Sequence, residues 1–290
     1  MTDKLDPPGS SRYRTQIKYP LSGGTFLLCR TESIRYFLTR VFFCMFKMIV
    51  FDMDGTLTPS KGKMDTEMVD LFKALLVKYQ VAIISGGKYE LFQTQVLPFL
   101  WENLSLLSNL YVCPTCSTAM YLYREGDWKK QYSLDLSKEE KEHIMSILYK
   151  AIDHLGLRPE KLWGEMVEDR VTQITISTLG QEAPIEEKKK YDPDFSKRKK
   201  IRDYMLPDLA GFNVLIAGST SIDITREWVD KAYGVRKLME VSWVDLNEII
   251  FVGDAVFPGG NDYPPLEIGV TTKRVFDVED TKEFIRSLIK

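Results

Sequence analysis

Apolar residues along the chain follow two kinds of pattern. Four runs are short and continuous, which predicts buried strands: 48–53, 81–84, 110–112 and 248–252. After the first run, apolar residues recur at helical spacing: Met68, Leu71, Phe72, Leu75 and Leu76. Because strands that alternate with helices build βαβ units, we expect an α/β fold with a Rossmann-like parallel sheet.

The pattern changes in the middle of the chain. A tyrosine-rich segment that ends near Gly126 predicts a hairpin, and further strands are predicted at 171–177 and 212–216. Helical patterns cover 137–155 and 195–206. This block indicates an α+β domain inserted into the parallel core.

A helix followed by a strand resumes after the insert. We therefore expect four segments, in this order: an N-terminal extension at 1–46, the first part of the core at 47–122, an α+β cap domain at 123–227 and the second part of the core at 228–290.

The N-terminal extension is polar at first and then carries an aromatic run near Tyr36 and Phe42. Interspersed arginines argue against a membrane span, and no small-residue cleavage site follows the apolar part, which argues against a signal peptide. Two alternatives remain: a true extension that packs a helix on the core, or a start at Met45 or Met48. We favour the second, because the first strand begins there.

Composition limits the possible partners. The 290 residues carry a formal net charge of -2, so neither nucleic acid nor an anionic membrane is an expected partner. Four cysteines are too few for a disulfide scaffold, which fits a reducing cytoplasm: Cys29, Cys44, Cys113 and Cys116. Cys113 and Cys116 form a lone C-x-x-C, and we expect buried thiols there rather than a zinc or redox site.

Two aspartates at the end of the first strand are the strongest chemical signal. Asp52 and Asp54 precede Gly55, and alternation along a strand would place both carboxylates on the same side. Open α/β sheets bind ligands at the carboxyl ends of their strands. Two close carboxylates repel each other and a cation relieves that repulsion, so we expect a Mg²⁺ site with a nucleophilic aspartate. A calcium loop is a weaker alternative, because the later ligands of an EF-hand are missing.

Three further motifs follow in order. They are Ser85-Gly86-Gly87, Lys231, and Gly253-Asp254 continued by Pro258-Gly259-Gly260-Asn261-Asp262. With Asp52-x-Asp54-Gly55-Thr56, this series resembles the haloacid dehalogenase superfamily of Mg²⁺-dependent phosphotransferases. The position of the insert is similar to a type C2 cap, and the resemblance is strongest to the eukaryotic-type phosphomannomutase family, over nearly all of 48–290.

The resemblance implies a role for each core residue. Asp52 would attack phosphorus and Asp54 would transfer protons, while Ser85 and Lys231 would stabilise the phosphoryl oxygens. The Mg²⁺ ligands would be Asp52, the backbone carbonyl of Asp54, and Asp254. Asp262 would support the waters on Mg²⁺ or orient Lys231.

The resemblance also implies sugar and phosphate contacts in the cap. Ser221 and Asp223 match a Ser-x-Asp that binds sugar hydroxyls, and Arg170 matches an arginine that binds the second phosphate. Two further cap arginines of the family align with Gln181 and Lys188, and an arginine of its core aligns with Lys61. Lysine is a point charge where arginine is a planar fork, so phosphate binding in the cap is expected to be weaker.

These assignments lead to a functional expectation. The leading hypothesis is interconversion of mannose 1-phosphate and mannose 6-phosphate, supplying GDP-mannose synthesis, with a homodimer through the cap. The alternative is a sugar-phosphate phosphatase, which weaker phosphate binding would favour. A non-catalytic sugar-phosphate sensor is disfavoured, because it has no need for Asp54.

Overall fold

The computed structural model describes residues 46–59, 62–100, 104–217 and 220–290. The extension predicted at 1–46 therefore lies, apart from Phe46, outside the described residues, as do Cys29, Cys44 and Lys61. The strands are β1 (Met48–Phe51), β2 (Gln80–Ile84), β3 (Leu110–Cys113), β4 (Ala119–Arg124), β5 (Asp127–Ser133), β6 (Val167–Asp169), β7 (Ile174–Ser177), β8 (Phe212–Ala217), β9 (Ser221–Arg226), β10 (Ile249–Gly253) and β11 (Thr271–Arg274).

The helices of the described residues lie between these strands and after the last one. They are α1 (Thr66–Lys78), α2 (Tyr89–Gln95), α3 (Lys138–His154), α4 (Ile185–Tyr191), α5 (Ser196–Met205), α6 (Lys231–Ser242), α7 (Pro264–Glu267) and α8 (Val278–Ile289). None of them has both the length and the apolar character needed to cross a bilayer.

The first sheet has seven strands in the order β11-β10-β1-β2-β3-β4-β5. The pairs from β11 to β3 are parallel, and β4 and β5 add an antiparallel hairpin at one edge. All residues of β1 are buried, as expected for a parallel strand covered on both faces. The predicted α/β fold with a parallel sheet is confirmed.

Helices cover both faces of this sheet. Val235 and Leu238 of α6 share a core with Met48 and Val50. On the opposite face Phe51 packs against Phe72 of α1, with ring centroids 6.2 Å apart. Alternation along β1 thus sends its residues into two different layers.

The second sheet is antiparallel and has four strands in the order β6-β7-β9-β8. One face carries isoleucines that pack against α3 and α5: Ile174, Ile176, Ile222 and Ile224. The alternate positions of β7 and β9 are polar and include Thr175 and Asp223. An apolar face under two helices leaves the polar face of this sheet to line a site.

Two sequence boundaries differ from the structure. The predicted cap limit between Leu122 and Tyr123 falls inside β4, because Leu122 pairs with Tyr111 and keeps the hairpin in the first sheet. The predicted strand at 171–177 begins only at Ile174, because Val171 has φ +68° and Thr172 N–H donates to the carbonyl of Arg170 in a turn.

Candidate active site

Asp52 lies immediately beyond β1, at the carboxyl end of the parallel sheet. Its N–H donates to the carbonyl of Val252 at 2.9 Å, which holds it to the neighbouring strand β10. The side chain is buried. Strand β1 ends at Phe51, before both aspartates, so strand alternation does not set their directions as the sequence analysis assumed.

A tight turn follows Asp52. The N–H of Gly55 donates to the carbonyl of Thr58 at 2.7 Å, and the N–H of Thr58 donates to that of Met53 at 3.0 Å. Gly55 has φ +85°, and a Cβ there would lie 2.7 Å from Oδ2 of Asp254. Only glycine satisfies both conditions, so Gly55 is what lets this turn approach Asp254.

Lys231 connects two buried carboxylates. It is the first residue of α6, and its Nζ lies 2.5 Å from Oδ1 of Asp52 and 2.5 Å from Oδ1 of Asp262. Burial alone would lower the pKa of Lys231, but the charges of Asp262 and Asp52 outweigh burial and raise it. The ammonium is therefore charged at neutral pH.

Carboxylate oxygens of Asp52, Asp254 and Asp262 lie within 4.8 Å of one another. Burial and the charges of Asp262 and Asp254 raise the pKa of Asp52, the Lys231 ammonium lowers it, and the net result is a pKa of about 7. The pKa of Asp254 is raised by burial and by Asp262. The single Lys231 ammonium neutralises only part of the negative charge of these three carboxylates. Their oxygens are suitable ligands for a hard divalent cation. The described residues thus include an acidic group that could hold a metal.

The remaining predicted metal residue lies differently. The carboxylate of Asp54 is outside this three-aspartate group, which leaves its backbone carbonyl, the atom expected from the resemblance, as the candidate ligand. Asp262 is fully buried and its Oδ2 also accepts from the N–H of Ala255 at 3.0 Å. That contact fixes the Asp262 carboxylate beside Lys231.

Ser85 follows β2, two strand ends away from Asp254. Its Oγ accepts from the N–H of Gly87 at 3.0 Å, and its backbone carbonyl accepts from the N–H of Cys116 at 2.9 Å. Both Cys116 and Cys113 are buried and free, as predicted. The Ser85 hydroxyl is thereby held in a closed turn at the same edge of the sheet as Asp52.

Two predicted cap residues reach this turn. Nη1 of Arg170 donates to the carbonyl of Gly86 at 2.8 Å. Oδ2 of Asp223 lies 3.7 Å from where a Cβ on Gly86 would be. Burial raises the pKa of Asp223, while Arg170 and a 2.9 Å hydrogen bond from Thr175 lower it. The polar face of the second sheet therefore meets the reactive edge of the first.

The other predicted cap residues lie further along the same sheet. Ser221 begins β9, two residues before Asp223, and pairs with Ser177. Lys188 is 6% exposed, and its Nζ donates to the carbonyl of Gln181 at 3.0 Å. Its charge thus faces the backbone of the cap.

Sequence reasoning missed two charged residues beside Arg170. Glu168 accepts from Arg170, and it also pairs with Lys88 of the core at 2.8 Å. Glu168 lies in β6, two residues before Arg170, and Lys88 directly follows the Ser-Gly-Gly motif. Their proximity in sequence to predicted site residues was the available signal.

Comparison with known proteins agrees with this arrangement. A sequence model described as eukaryotic phosphomannomutase matches residues 68–290. The chain belongs to the eukaryotic phosphomannomutase family. The matched region includes Ser85, Lys231, Asp254 and Asp262, whereas Asp52 and Asp54 precede it and are placed by the fold.

Individual phosphomannomutases are distant but match over most of their length. Phosphomannomutase 1 of Mus musculus is 27% identical over 225 residues, covering 74% of this chain and 81% of its own. The phosphomannomutase of Spinacia oleracea is 28% identical over 222 residues, covering 74% and 84%. The resemblance to phosphomannomutases is confirmed.

Solved structures support the fold. The IMP-nucleotidase of Plasmodium falciparum, truncated at its N-terminus and bound to IMP, has a TM-score of 0.64 at 19% identity, covering 88% of this chain and 72% of its own. A haloacid dehalogenase-like hydrolase of Bacteroides thetaiotaomicron has a TM-score of 0.57 at 15% identity, covering 83% and 98%. At such identities these neighbours show the shared fold alone.

Proposed function

We propose that this protein is a phosphomannomutase that interconverts mannose 1-phosphate and mannose 6-phosphate through a phosphorylated Asp52. The observation that carries the proposal is the buried Lys231 bridge between Asp52 and Asp262, at the edge of the sheet that faces Arg170 and Asp223. Relatives named phosphomannomutase favour the mutase over the phosphatase alternative.

Asp52 is the proposed nucleophile. An Oδ atom of Asp52 attacks a phosphorus atom of a hexose bisphosphate. The bond between that phosphorus and the sugar oxygen breaks, and Asp54 gives the oxygen a proton. The phosphoryl group then passes from Asp52 to the other hydroxyl of a hexose monophosphate, and Asp54 takes up its proton. The resulting bisphosphate reorients and returns one phosphoryl group to Asp52.

Lys231 and Ser85 act on charge during these steps. The Lys231 ammonium lies against Asp52, where it counters the charge that accumulates on the phosphoryl oxygens. Ser85 offers its hydroxyl from the neighbouring turn, and Asp262 holds Lys231 in place. These groups are fixed before substrate arrives, so little reorganisation is needed.

Mg²⁺ is the proposed cofactor, because the three clustered carboxylates supply the hard oxygen ligands that it prefers. Asp52, Asp254 and the backbone carbonyl of Asp54 would hold it, with Asp262 beside them. When bound, Mg²⁺ neutralises charge between the carboxylates and the phosphate.

The second sheet and its helices form the proposed cap, from Leu134 to about Asp230. Arg170 would bind the distal phosphate, while Ser221 and Asp223 would bind sugar hydroxyls; Lys188 and Lys61 are further candidates for phosphate. Cap closure would exclude water, and a mutase needs this exclusion so that its phosphorylated intermediate is not hydrolysed. We also propose a cytoplasmic enzyme that supplies GDP-mannose synthesis, as a homodimer through the cap.

Product analysis tests the proposal. The protein is incubated with Mg²⁺, mannose 1-phosphate and a catalytic amount of glucose 1,6-bisphosphate, and products are followed by phosphorus NMR. We expect mannose 6-phosphate without free phosphate. Free phosphate as the only product would instead identify a hydrolase, and the Asp52→Asn variant serves as the inactive control.

A further inference from the structure

Lys88 lies where the core meets the cap, and its ammonium faces a carboxylate of the cap. Its Nζ is 2.8 Å from Oε1 of Glu168. Oε2 of the same carboxylate accepts from Nε of Arg170 at 3.0 Å and from its Nη2 at 2.7 Å. One carboxylate therefore contacts two cations, Lys88 before α2 and Arg170 after β6.

This three-residue group adjoins the proposed reaction centre. Arg170 also donates to the carbonyl of Gly86, the residue after Ser85, and Lys88 follows two residues later. The side chain of Arg170 is 14% exposed, whereas that of Lys88 is 43% exposed. Lys88 is thus the more accessible cation of the pair, and a ligand can reach it without unfolding the turn.

Glu168 occupies the position of an anion in this group. Burial would raise the pKa of Glu168, but Lys88 and Arg170 outweigh burial and lower it. Its carboxylate is therefore ionised at neutral pH and pairs with both cations. A phosphate dianion would carry more charge and more acceptor oxygens into the same space.

Among the described cap positions that match phosphate-binding arginines of the family, Arg170 is the one that keeps a guanidinium. Position 181 is a neutral glutamine, and the Lys188 ammonium donates to the carbonyl of Gln181 in a buried setting. A bisphosphate carries a second dianion that must be held while the first phosphate reacts. Lys88 is a core cation that shares the Glu168 carboxylate with Arg170, and so lies where it can meet this need.

We propose that Lys88 is a phosphate-binding residue that works with Arg170 on the distal phosphate of the hexose. Glu168 keeps the two cations in place without substrate and moves aside when the phosphate binds. This inference rests on the proposed function, since it names the residues that hold the second phosphate of that reaction.

Two substitutions distinguish a phosphate-binding role of Lys88 from a role in which Lys88 only pairs with Glu168. Lys88→Ala removes a cation and should raise KM for mannose 1-phosphate and for glucose 1,6-bisphosphate by about tenfold. Glu168→Gln removes the competing anion and should leave both KM values unchanged or lower them. If the Lys88–Glu168 pair only held the cap, both variants would break it and would raise KM together.

Three controls accompany these variants. Lys88→Arg should keep KM near that of the parent protein. Turnover of 4-nitrophenyl phosphate, which has no distal phosphate, should be the same in Lys88→Ala and the parent. Lys138→Ala removes a surface lysine whose side chain is 82% exposed and reports any general effect of charge.

The outcomes distinguish this inference from the proposed function. A parent protein that transfers no phosphoryl group between hexose phosphates would overturn the proposed function. An active parent whose KM is unchanged in Lys88→Ala, or is raised alike in Lys88→Ala and Glu168→Gln, would overturn the role of Lys88 alone. The role of Lys88 would also be overturned if Lys88→Ala lost as much turnover of 4-nitrophenyl phosphate as of hexose phosphates.

Discussion

The side chain of Ser117 fills the space beside Gly234. A Cβ added to Gly234 would lie 2.0 Å from Oγ of Ser117, far inside van der Waals contact. Ser117 itself is fully buried and has φ +70°. Because Gly234 is one turn along α6 from Lys231, this close approach sets the distance between the helix that carries the lysine and the turn after β3.

Gly234→Ala should therefore destabilise the fold by about 1–3 kcal/mol, the usual cost of overpacking. The gain in helix propensity, about 1 kcal/mol, is too small to offset the clash. Thermal unfolding measures the effect. Ser117→Gly should restore most of the stability of Gly234→Ala, since it removes the two nearest clashing atoms and suits the positive φ. The third atom, Cδ1 of Ile84 at 2.9 Å, is the end of a side chain that can shift. Unchanged unfolding in Gly234→Ala would refute the close approach.

Asp52→Asn should lower turnover by at least about a thousandfold, because an amide is a poor nucleophile at phosphorus. Asp54→Asn should cause a loss of similar scale by removing proton transfer. Both are measured as conversion of mannose 1-phosphate. Asp54→Asn should still gain thermal stability from Mg²⁺, because its carboxylate is not in the three-aspartate group, whereas Asp52→Asn should lose most of that gain.

Stability without metal should depend on pH through Asp52. Burial raises the pKa of Asp52 from 3.8 to about 7 in the folded protein, so the folded state binds the proton more tightly than the unfolded chain. The contribution of Asp52 to stability is then fully present below the unfolded pKa and is lost as pH rises through about 7.

In the presence of a metal chelator, Asp52 should therefore raise Tm less at about pH 8 than at about pH 5.5. Mg²⁺ binds the ionised carboxylates, so the rise in Tm on adding Mg²⁺ should be larger at the higher pH. Thermal melts at both pH values, with and without Mg²⁺, measure this. An equal rise in Tm at both pH values would show that Mg²⁺ binding does not depend on ionisation of Asp52.

Thr175→Val should weaken sugar recognition. Nε2 of Gln173 donates to Oγ1 of Thr175 at 2.8 Å, and that hydroxyl donates to Oδ1 of Asp223 at 2.9 Å. Valine keeps the shape and removes the link, so KM for mannose 1-phosphate should rise by about tenfold, the effect of one charge-assisted hydrogen bond. Thr175→Ser should retain the parent KM; a rise equal to that of valine would argue for a packing effect.

Local sequence patterns predicted the parts of the molecule that depend on local physics. The apolar runs at 48–53 and 248–252 predicted β1 and β10, and the helical spacing that begins at Met68 predicted α1. Asp52 was singled out because it follows a strand of a parallel sheet, where ligands gather, whereas Ser85, Lys231 and Asp254 were assigned through the family resemblance. The fold brings all four to one edge.

Features that depend on distant contacts were not predicted. Consecutive non-glycine residues have positive φ in the turn after β3: Thr115, Cys116 and Ser117. No local preference favours that conformation; it is held by tertiary hydrogen bonds such as that of Thr115 Oγ1 with Thr172 Oγ1 at 2.9 Å. The hairpin β4–β5 was assigned to the cap for a similar reason, since strand pairing across the sheet edge leaves no mark in the sequence.

The chain returns from the cap to the core over a very short path. Strand β9 carries Ser221 and Asp223 and ends at Arg226, and Asp230 already caps the helix whose first residue is Lys231. If the proposed cap moves as a body, its motion would be transmitted to the backbone beside Lys231, because only four residues separate β9 from this helix. In the proposed mechanism, a sugar bound at Ser221 and Asp223 would therefore also influence the position of the Lys231 ammonium, and a longer connection between β9 and this helix would uncouple the two.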